Sequence, residues 1–326
     1  MELFRSVNID WLGKKWYFLG FSLIFSVAGL LSMGWHLHTI GSPVPLGVDF
    51  RGGTEVQVLF QNKPDISAVR QAVGKAGVHD AKIVQTSGSG TEQNSVLISL
   101  PEQKNESNLD AGRKVIVDAL QQNYSSNPFD PSRGVKVDVV GPTVGHQLQS
   151  KAFLATLYSL MGMLVYLWFR FQLIYGVAAV VACFHDTLIT LGAFALTGQE
   201  LSLTVVAAIL TLVGYSMNDT IVVFDRIREN LRLSRRESLG DVVNRSINQT
   251  LSRTVLTSGL TFITVLSLFI FGGQVLRGFS FALVVGIVIG TYSSIAVAAP
   301  MLVAYTDWRA SKGQAAVLPA AKRVRT

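Results

Sequence analysis

Two acidic positions lie inside long apolar stretches of this sequence, where an ionisable side chain is costly to place. Asp219 interrupts one apolar run, and the pair His185 and Asp186 interrupts another. A carboxylate in a lipid-embedded helix usually faces a partner group or a water-filled cavity, and such groups serve ion or proton movement. These positions therefore predict proton chemistry inside a membrane.

Polar residues recur at helical spacing in the apolar run that contains Asp219 and in the next apolar run. One stripe, beside Asp219, consists of Thr204, Thr211, Tyr215 and Asn218. A second stripe begins with a basic residue and continues with hydroxyl residues, as Arg253, Thr257, Thr261 and Thr264. Residues at these spacings share one helix face. Two such faces on adjacent helices can enclose water.

Asp219 and Arg253 are predicted to form a proton relay. Burial and a nearby guanidinium act on a carboxyl group in opposite directions, so its charge state becomes sensitive to geometry. A static ion pair between the same two residues is the alternative, although it is costly in desolvation.

His185 and Asp186 are either a second relay station or partners in an interhelical hydrogen bond, and the hydrogen bond is favoured. With Tyr215, Asn218 and Thr257 they form a candidate additional intramembrane polar site. The one cysteine, Cys183, is expected to be a buried packing residue.

The elements that position these residues follow from hydropathy. The chain is 49% hydrophobic and only 15% charged, which is too apolar for a soluble domain of 326 residues. Six runs are long enough to span about 30 Å of hydrocarbon, at about 16–37, 152–169, 174–197, 201–224, 254–272 and 279–305. The first run is too long for a signal peptide and lacks a small-residue cleavage site.

The basic residues predict the orientation. Both ends, Arg170 and the 225–253 loop carry 16 of the 28 Lys and Arg residues, whereas the short opposite loops carry only Arg277. The positive-inside rule therefore places both termini and the Arg-rich 225–253 loop in the cytoplasm. That loop mainly sets topology, although its amphipathic spacing would also suit anionic lipid headgroups. The tail, 307–326, is expected to be a solvated basic end.

The segment 38–150 changes to a polar composition and predicts one α+β domain outside the membrane. Strand patterns occur at 54–60, 81–86, 95–100 and 134–140, with helical patterns at 66–76 and 109–122. The order βαββαβ is that of a ferredoxin-like domain with two helices on one face of an antiparallel sheet. The predicted fold is thus a six-helix membrane bundle, 1–37 and 151–306, with this domain inserted.

Several function classes are disfavoured. The chain has no phosphate-binding loop followed by Lys and Ser or Thr, and no nucleophile elbow. An ATPase role is therefore not expected, nor is a cofactor or a metal. The net charge of +7 is explained by topology, so a nucleic-acid partner is not expected.

Five motifs resemble the SecD/SecF family of bacterial protein-export membrane proteins, within the RND superfamily. They span residues 47–54, 140–145, 185–186, 214–230 and 252–258. The motif around Asp219, Gly-Tyr-Ser-Met-Asn-Asp-Thr, is highly specific. The resemblance covers nearly the whole chain and agrees with the ferredoxin-like order.

The resemblance implies a multi-pass protein of the bacterial inner membrane that forms half of an RND-type assembly with SecD. It further implies docking on the SecYEG channel, contact with exported unfolded polypeptides and with membrane lipids, and YajC as a further candidate partner. Asp219 and Arg253 would take part in proton movement that draws the polypeptide outward. Two other classes stay open: a half-size transporter for small molecules or lipids, and a passive translocon assembly factor.

Overall fold

The computed structural model describes residues 8–78, 81–85, 94–100, 111–124, 127–131, 134–171, 173–234 and 237–312. Six of its helical segments are long and apolar enough to cross a membrane. The predicted basic tail lies outside the described residues beyond 312.

The first half of the chain contains one membrane helix and a domain at 48–140 that lies outside the membrane helices and is called the outer domain for that reason. Its elements are α1 (Lys15–Ile40), α2 (Val48–Arg51), β1 (Gly53–Leu59), α3 (Ile66–Lys75), β2 (Lys82–Gln85), β3 (Ser95–Leu100), α4 (Ala111–Asn123) and β4 (Val135–Val140). The second half is helical. Its elements are α5 (Pro142–Arg170), α6 (Leu173–Thr197), α7 (Leu203–Leu233), α8 (Leu239–Phe271), α9 (Gly273–Ser293), a π-helical turn (Ser294–Ala298) and α10 (Ala299–Ser311).

Several membrane helices extend well beyond the apolar runs. Helix α5 begins ten residues before the predicted start at 152, with Pro142 in its first turn. Helix α7 continues to Leu233 and α8 begins at Leu239, so the segment predicted as a 225–253 loop is helical except for a short connection. Hydropathy identifies only the part of each helix that is apolar enough to lie in lipid. A helix of 33 residues is about 50 Å long, against about 30 Å of hydrocarbon.

The outer domain contains a small antiparallel sheet in the order β2-β3-β1-β4. Strand β1 is central: Val56 lies opposite Ile98 on β3 and opposite Val137 on β4. Its inward residues alternate with half-buried ones, as the sequence pattern predicts. Helices α3 and α4 pack together and contribute to the core beneath the sheet. The largest fully buried residues of this core are Val56, Ile98, Ile116 and Leu120.

The membrane helices pack around α7 and α9, which make the largest contact surface in the bundle. Helix α1 lies against α6, where two glycines meet. A Cβ atom built on Gly192 would lie 2.7 Å from the Cα atom of Gly29, so the two backbones touch directly. Small residues at such positions let membrane helices approach closely. The π-helical turn joins α9 to α10, and all five of its residues are buried.

Glu55 on β1 provides a pH-dependent prediction for the outer domain. Burial raises the pKa of Glu55 above its ordinary value of 4.5, while a hydrogen bond from Ser99 Oγ, 3.3 Å from Glu55 Oε2, opposes that effect. The folded domain therefore holds this proton more tightly than the unfolded chain does. The resulting stability is present below the unfolded pKa and is lost as the pH rises through the folded pKa.

Glu55→Gln removes this titration, so the outer domain of the variant is expected to lose less stability than the wild type as the pH rises above about 4.5. The measurement is the urea concentration at the midpoint of unfolding of β1 at each pH. Pulsed hydrogen exchange at a single labelling pH follows the unfolding. Asp118→Asn on the exposed face of α4 is the control. Parallel pH profiles for wild type and Glu55→Gln would contradict the prediction.

Candidate functional site in the membrane helices

Asp219 lies deep in the bundle. It is sixteen residues after the start of α7 at Leu203, about 24 Å along the helix. Only 3% of its surface is exposed, and Ser258 Oγ on α8 donates a hydrogen bond to Asp219 Oδ2 at 2.8 Å. The carboxyl group is thus held between two helices by the neutral hydroxyl of Ser258. This hydroxyl can form a hydrogen bond with either the ionised or the protonated carboxyl group.

Sequence reasoning did not identify Ser258 as the partner of Asp219. The pattern that would have found it is the spacing of Thr254 and Ser258, four residues apart and both buried on α8. Hydroxyl residues on the buried face of a membrane helix commonly bond across to a neighbouring helix.

Arg253 does not form a salt bridge with Asp219. The five salt bridges of the described residues all join other groups. The Arg253 side chain is exposed on the surface of the chain. The static ion pair considered from the sequence is therefore not formed in the described part of the protein.

Both predicted polar stripes lie largely on the outer surface of the bundle. Thr204, Thr211 and Asn218 on α7 are exposed, as are Arg253, Thr257 and Thr264 on α8. The hydroxyls of Thr211 and Thr257 donate to carbonyl groups of their own helices, at 2.8 and 3.0 Å. Helices α7 and α8 thus do not close a polar channel between these stripes. The stripes form an uncovered polar face beside Asp219.

Tyr215 lies at the edge of this face. Its hydroxyl is buried, and no residue that the structure describes forms a hydrogen bond with it. A buried phenol without a partner is uncommon, because tyrosine hydroxyls normally find one. The site therefore includes an unused polar group next to Asn218.

Asp186 is the centre of a separate polar network. It is fully buried, and its Oδ2 accepts hydrogen bonds from Ser216 Oγ at 2.5 Å and Ser293 Oγ at 2.7 Å. Its Oδ1 lies 3.0 Å from His185 Nδ1. His185 Nε2 in turn lies 3.0 Å from Ser22 Oγ on α1. The network joins α1, α6, α7 and α9, and it matches the interhelical hydrogen bonding favoured for this pair. A relay role stays a prediction.

The structure therefore separates the predicted residues into two groups. Arg253, Asn218 and Thr257 lie on the uncovered side of α7 and α8, with Tyr215 half-buried at its edge and Asp219 buried behind it, whereas His185 and Asp186 lie among the inner helices. Within the described ranges, no three His, Cys, Asp or Glu residues are placed to hold a metal ion. The arrangement suits reversible protonation of a carboxyl group more than bond-breaking chemistry.

Six helices long and apolar enough to cross a membrane, with buried carboxyl groups among them, are typical of a multi-pass membrane protein of the transport class. Two family models match the chain. "Protein export membrane protein SecD/SecF, C-terminal" covers residues 121–308, and "SecD/SecF GG Motif" covers residues 40–63. The chain belongs to the SecD/SecF family, as the sequence motifs indicated.

Curated relatives match over nearly their full length. The protein translocase subunit SecF of Koribacter versatilis is 54% identical, over 97% of this chain and 96% of the relative. The SecF of Calditerrivibrio nitroreducens is 44% identical, over 93% of this chain and 96% of the relative.

The fold is similar to that of SecDF, a translocon-associated membrane protein from Thermus thermophilus. The TM-score is 0.77 at 35% identity, and the match covers 93% of this chain but 39% of the SecDF chain. A second SecDF structure, in a super-membrane-facing form, gives a TM-score of 0.68 at 34% identity over 94% of this chain and 40% of that one. The chain thus spans well under half the length of these structural relatives.

Proposed function

We propose that this chain is the SecF-type subunit of a Sec translocase accessory complex that uses the proton motive force to promote the late stage of polypeptide export. It would pair with SecD and act at the SecYEG channel, with YajC as a further candidate partner. The observation that carries the proposal is Asp219, a buried carboxyl group beside an uncovered polar face.

The need for a second subunit follows from that face. Asn218, Arg253 and Thr257 are exposed on the chain by itself, and a charged or polar group that faces lipid is costly. Related transporters are built from two similar halves, with the functional groups at the interface between them. SecD would cover the polar face and complete a proton pathway around Asp219.

The energy available from protons is sufficient for a conformational bias. One elementary charge that crosses 100 mV releases about 2.3 kcal/mol, which shifts a two-state equilibrium by about 50-fold. Protonation of Asp219 would be coupled to its hydrogen bond with Ser258 and to the approach of Arg253. The proposed output is a change in the position of the outer domain, which would draw exported polypeptide away from the membrane.

The proposed location is the bacterial inner membrane, with both termini cytoplasmic and the sheet domain periplasmic. The distribution of Lys and Arg residues supports this orientation. The strand order β2-β3-β1-β4, with α3 and α4 inserted after β1 and β3, supports a ferredoxin-like description of the outer domain.

The test is export of a Sec-dependent reporter in cells depleted of this chain and complemented with it, with and without a protonophore. Complementation is expected to restore only the protonophore-sensitive part of export. Equal restoration under both conditions would identify a passive assembly factor instead. If depletion of this chain leaves export normal but impairs efflux of lipids or drugs, the chain is a small-molecule transporter.

A further inference from the structure

Asp49 connects the outer domain directly to the helix that contains Asp219. It belongs to α2, the short helix before β1. Asp49 Oδ2 accepts a hydrogen bond from the backbone N–H of Leu203 at 2.8 Å. Leu203 is the first residue of α7, whose opening N–H groups have no partner within the helix. A carboxylate here also interacts favourably with the helix dipole.

The main chain reinforces this contact. Leu46 and Leu201 form a parallel β-bridge, in which Gly47 N donates to Leu201 O at 2.9 Å and Leu201 N donates to Pro45 O at 2.8 Å. A Cβ atom on Gly47 would lie only 3.2 Å from Leu201 O. The segment 45–49 is therefore fastened to the start of α7 by three hydrogen bonds, two from the backbone and one from Asp49.

The other side of α2 is fixed to the start of α5. Gln149 Nε2 donates to Phe50 O at 2.8 Å, and Phe50 is almost fully buried. A Cβ atom on Gly145 would lie 2.8 Å from the same carbonyl oxygen, so α5 and α2 are in backbone contact. Two residues after Phe50 the chain enters β1 through Gly52, whose φ of 77° favours glycine.

We infer that Asp49 is a positioning residue that makes the start of α7 and the central strand β1 move together, so that a displacement at Asp219 reaches the outer sheet. This inference rests on the proposed function. Asp219 and Leu203 lie on one continuous helix, about 24 Å apart. Strand β1 pairs with both β3 and β4, so most of the sheet follows its motion.

A second contact joins the outer domain to the connection between α6 and α7, and it provides a matched control. Lys82 Nζ on the edge strand β2 lies 2.7 Å from Glu200 Oε1. Both side chains are substantially exposed, and exposed ion pairs contribute little to stability. The two contacts differ in the strand that they hold, and only the Asp49 contact is accompanied by main-chain hydrogen bonds, so they are expected to differ in effect.

The test uses the full chain co-expressed with SecD in membranes, with spin labels at Lys136→Cys on β4 and Arg232→Cys on α7. Cys183 is the one native cysteine and is buried, so labelling is selective. Asp49→Ala is expected to broaden the distance distribution between the labels and to lower proton-dependent export about fivefold at a normal membrane level. Asp49→Asn keeps an acceptor oxygen, and Lys82→Ala removes only the edge contact. Both are expected to stay near wild type.

An unchanged distance distribution in Asp49→Ala would overturn the inference. So would a broadened distribution with normal export, because Asp49 would then hold the domain without serving transport. The Asp219→Asn variant distinguishes these failures from failure of the proposed function. If Asp219→Asn loses export but Asp49→Ala exports normally, only the proposed role of Asp49 is contradicted. If Asp219→Asn exports normally, the proposed proton-driven function itself is contradicted.

Discussion

Asp219→Asn is expected to remove the proton-dependent part of export while the protein still assembles. Asparagine has nearly the same shape, and its amide oxygen can accept the hydrogen bond from Ser258 Oγ that Asp219 Oδ2 accepts at 2.8 Å. The asparagine side chain cannot take up or release a proton at physiological pH. The proton-driven rate is expected to fall by about 50-fold, the ratio that corresponds to one charge moved through 100 mV.

The measurement is export of a Sec-dependent reporter by the Asp219→Asn variant, with its membrane level and its association with SecD determined in parallel. Asp225→Asn is the matched control, because Asp225 is an exposed carboxylate on the same helix that pairs with Arg170 at 3.4 Å. Full export by a normally assembled Asp219→Asn variant would make Asp219 structural. The assembly-factor interpretation would then be preferred.

Gly192→Leu is expected to separate α1 from α6 and to destabilise the bundle by about 3 kcal/mol, the upper end for overpacking. Even the first added carbon would lie 2.7 Å from a backbone atom of Gly29, and backbone cannot move aside as a side chain can. Separation would also break the contact between His185 Nε2 and Ser22 Oγ. The thermal midpoint of the purified protein in detergent is expected to fall.

Gly162→Leu is the control for this substitution. A Cβ atom on Gly162 would meet no atom within 4 Å, so the same residue change occurs in open space on α5. Its thermal midpoint is expected to match that of the wild type. If Gly192→Leu has the same midpoint as Gly162→Leu, the close approach of α1 and α6 does not contribute to stability.

The sequence predicted the membrane spans and the sheet because each has a one-dimensional pattern. About twenty apolar residues in succession need a bilayer, and the structure has six helical segments of that kind. The alternation from Thr54 to Phe60 requires a half-buried strand, which the structure contains as β1. The SecD/SecF resemblance was confirmed by the family models.

Contacts between helices were less accessible, because no one-dimensional pattern records which helices are neighbours. Asp219 was identified by its cost in an apolar run, whereas Ser258, an ordinary serine, became significant only through its position opposite Asp219. Likewise, the three neighbours of Asp186 come from three different elements. Asp49 lies in the 47–54 motif, but its partner Leu203 is 154 positions away in the chain, so no local pattern predicts their contact.

The π-helical turn at Ser294–Ala298 makes the last helix tolerant of one particular change in length. A π turn holds an extra residue relative to an α-helix, so deleting one residue there would convert the turn to α-helix and leave the residues that follow in nearly the same phase. Leu302, now fully buried, would stay in the core, whereas a deletion in α10 just before it would rotate it by about 100°. A relative with a one-residue gap at the π turn is therefore expected to present the same face of α10 to its neighbours.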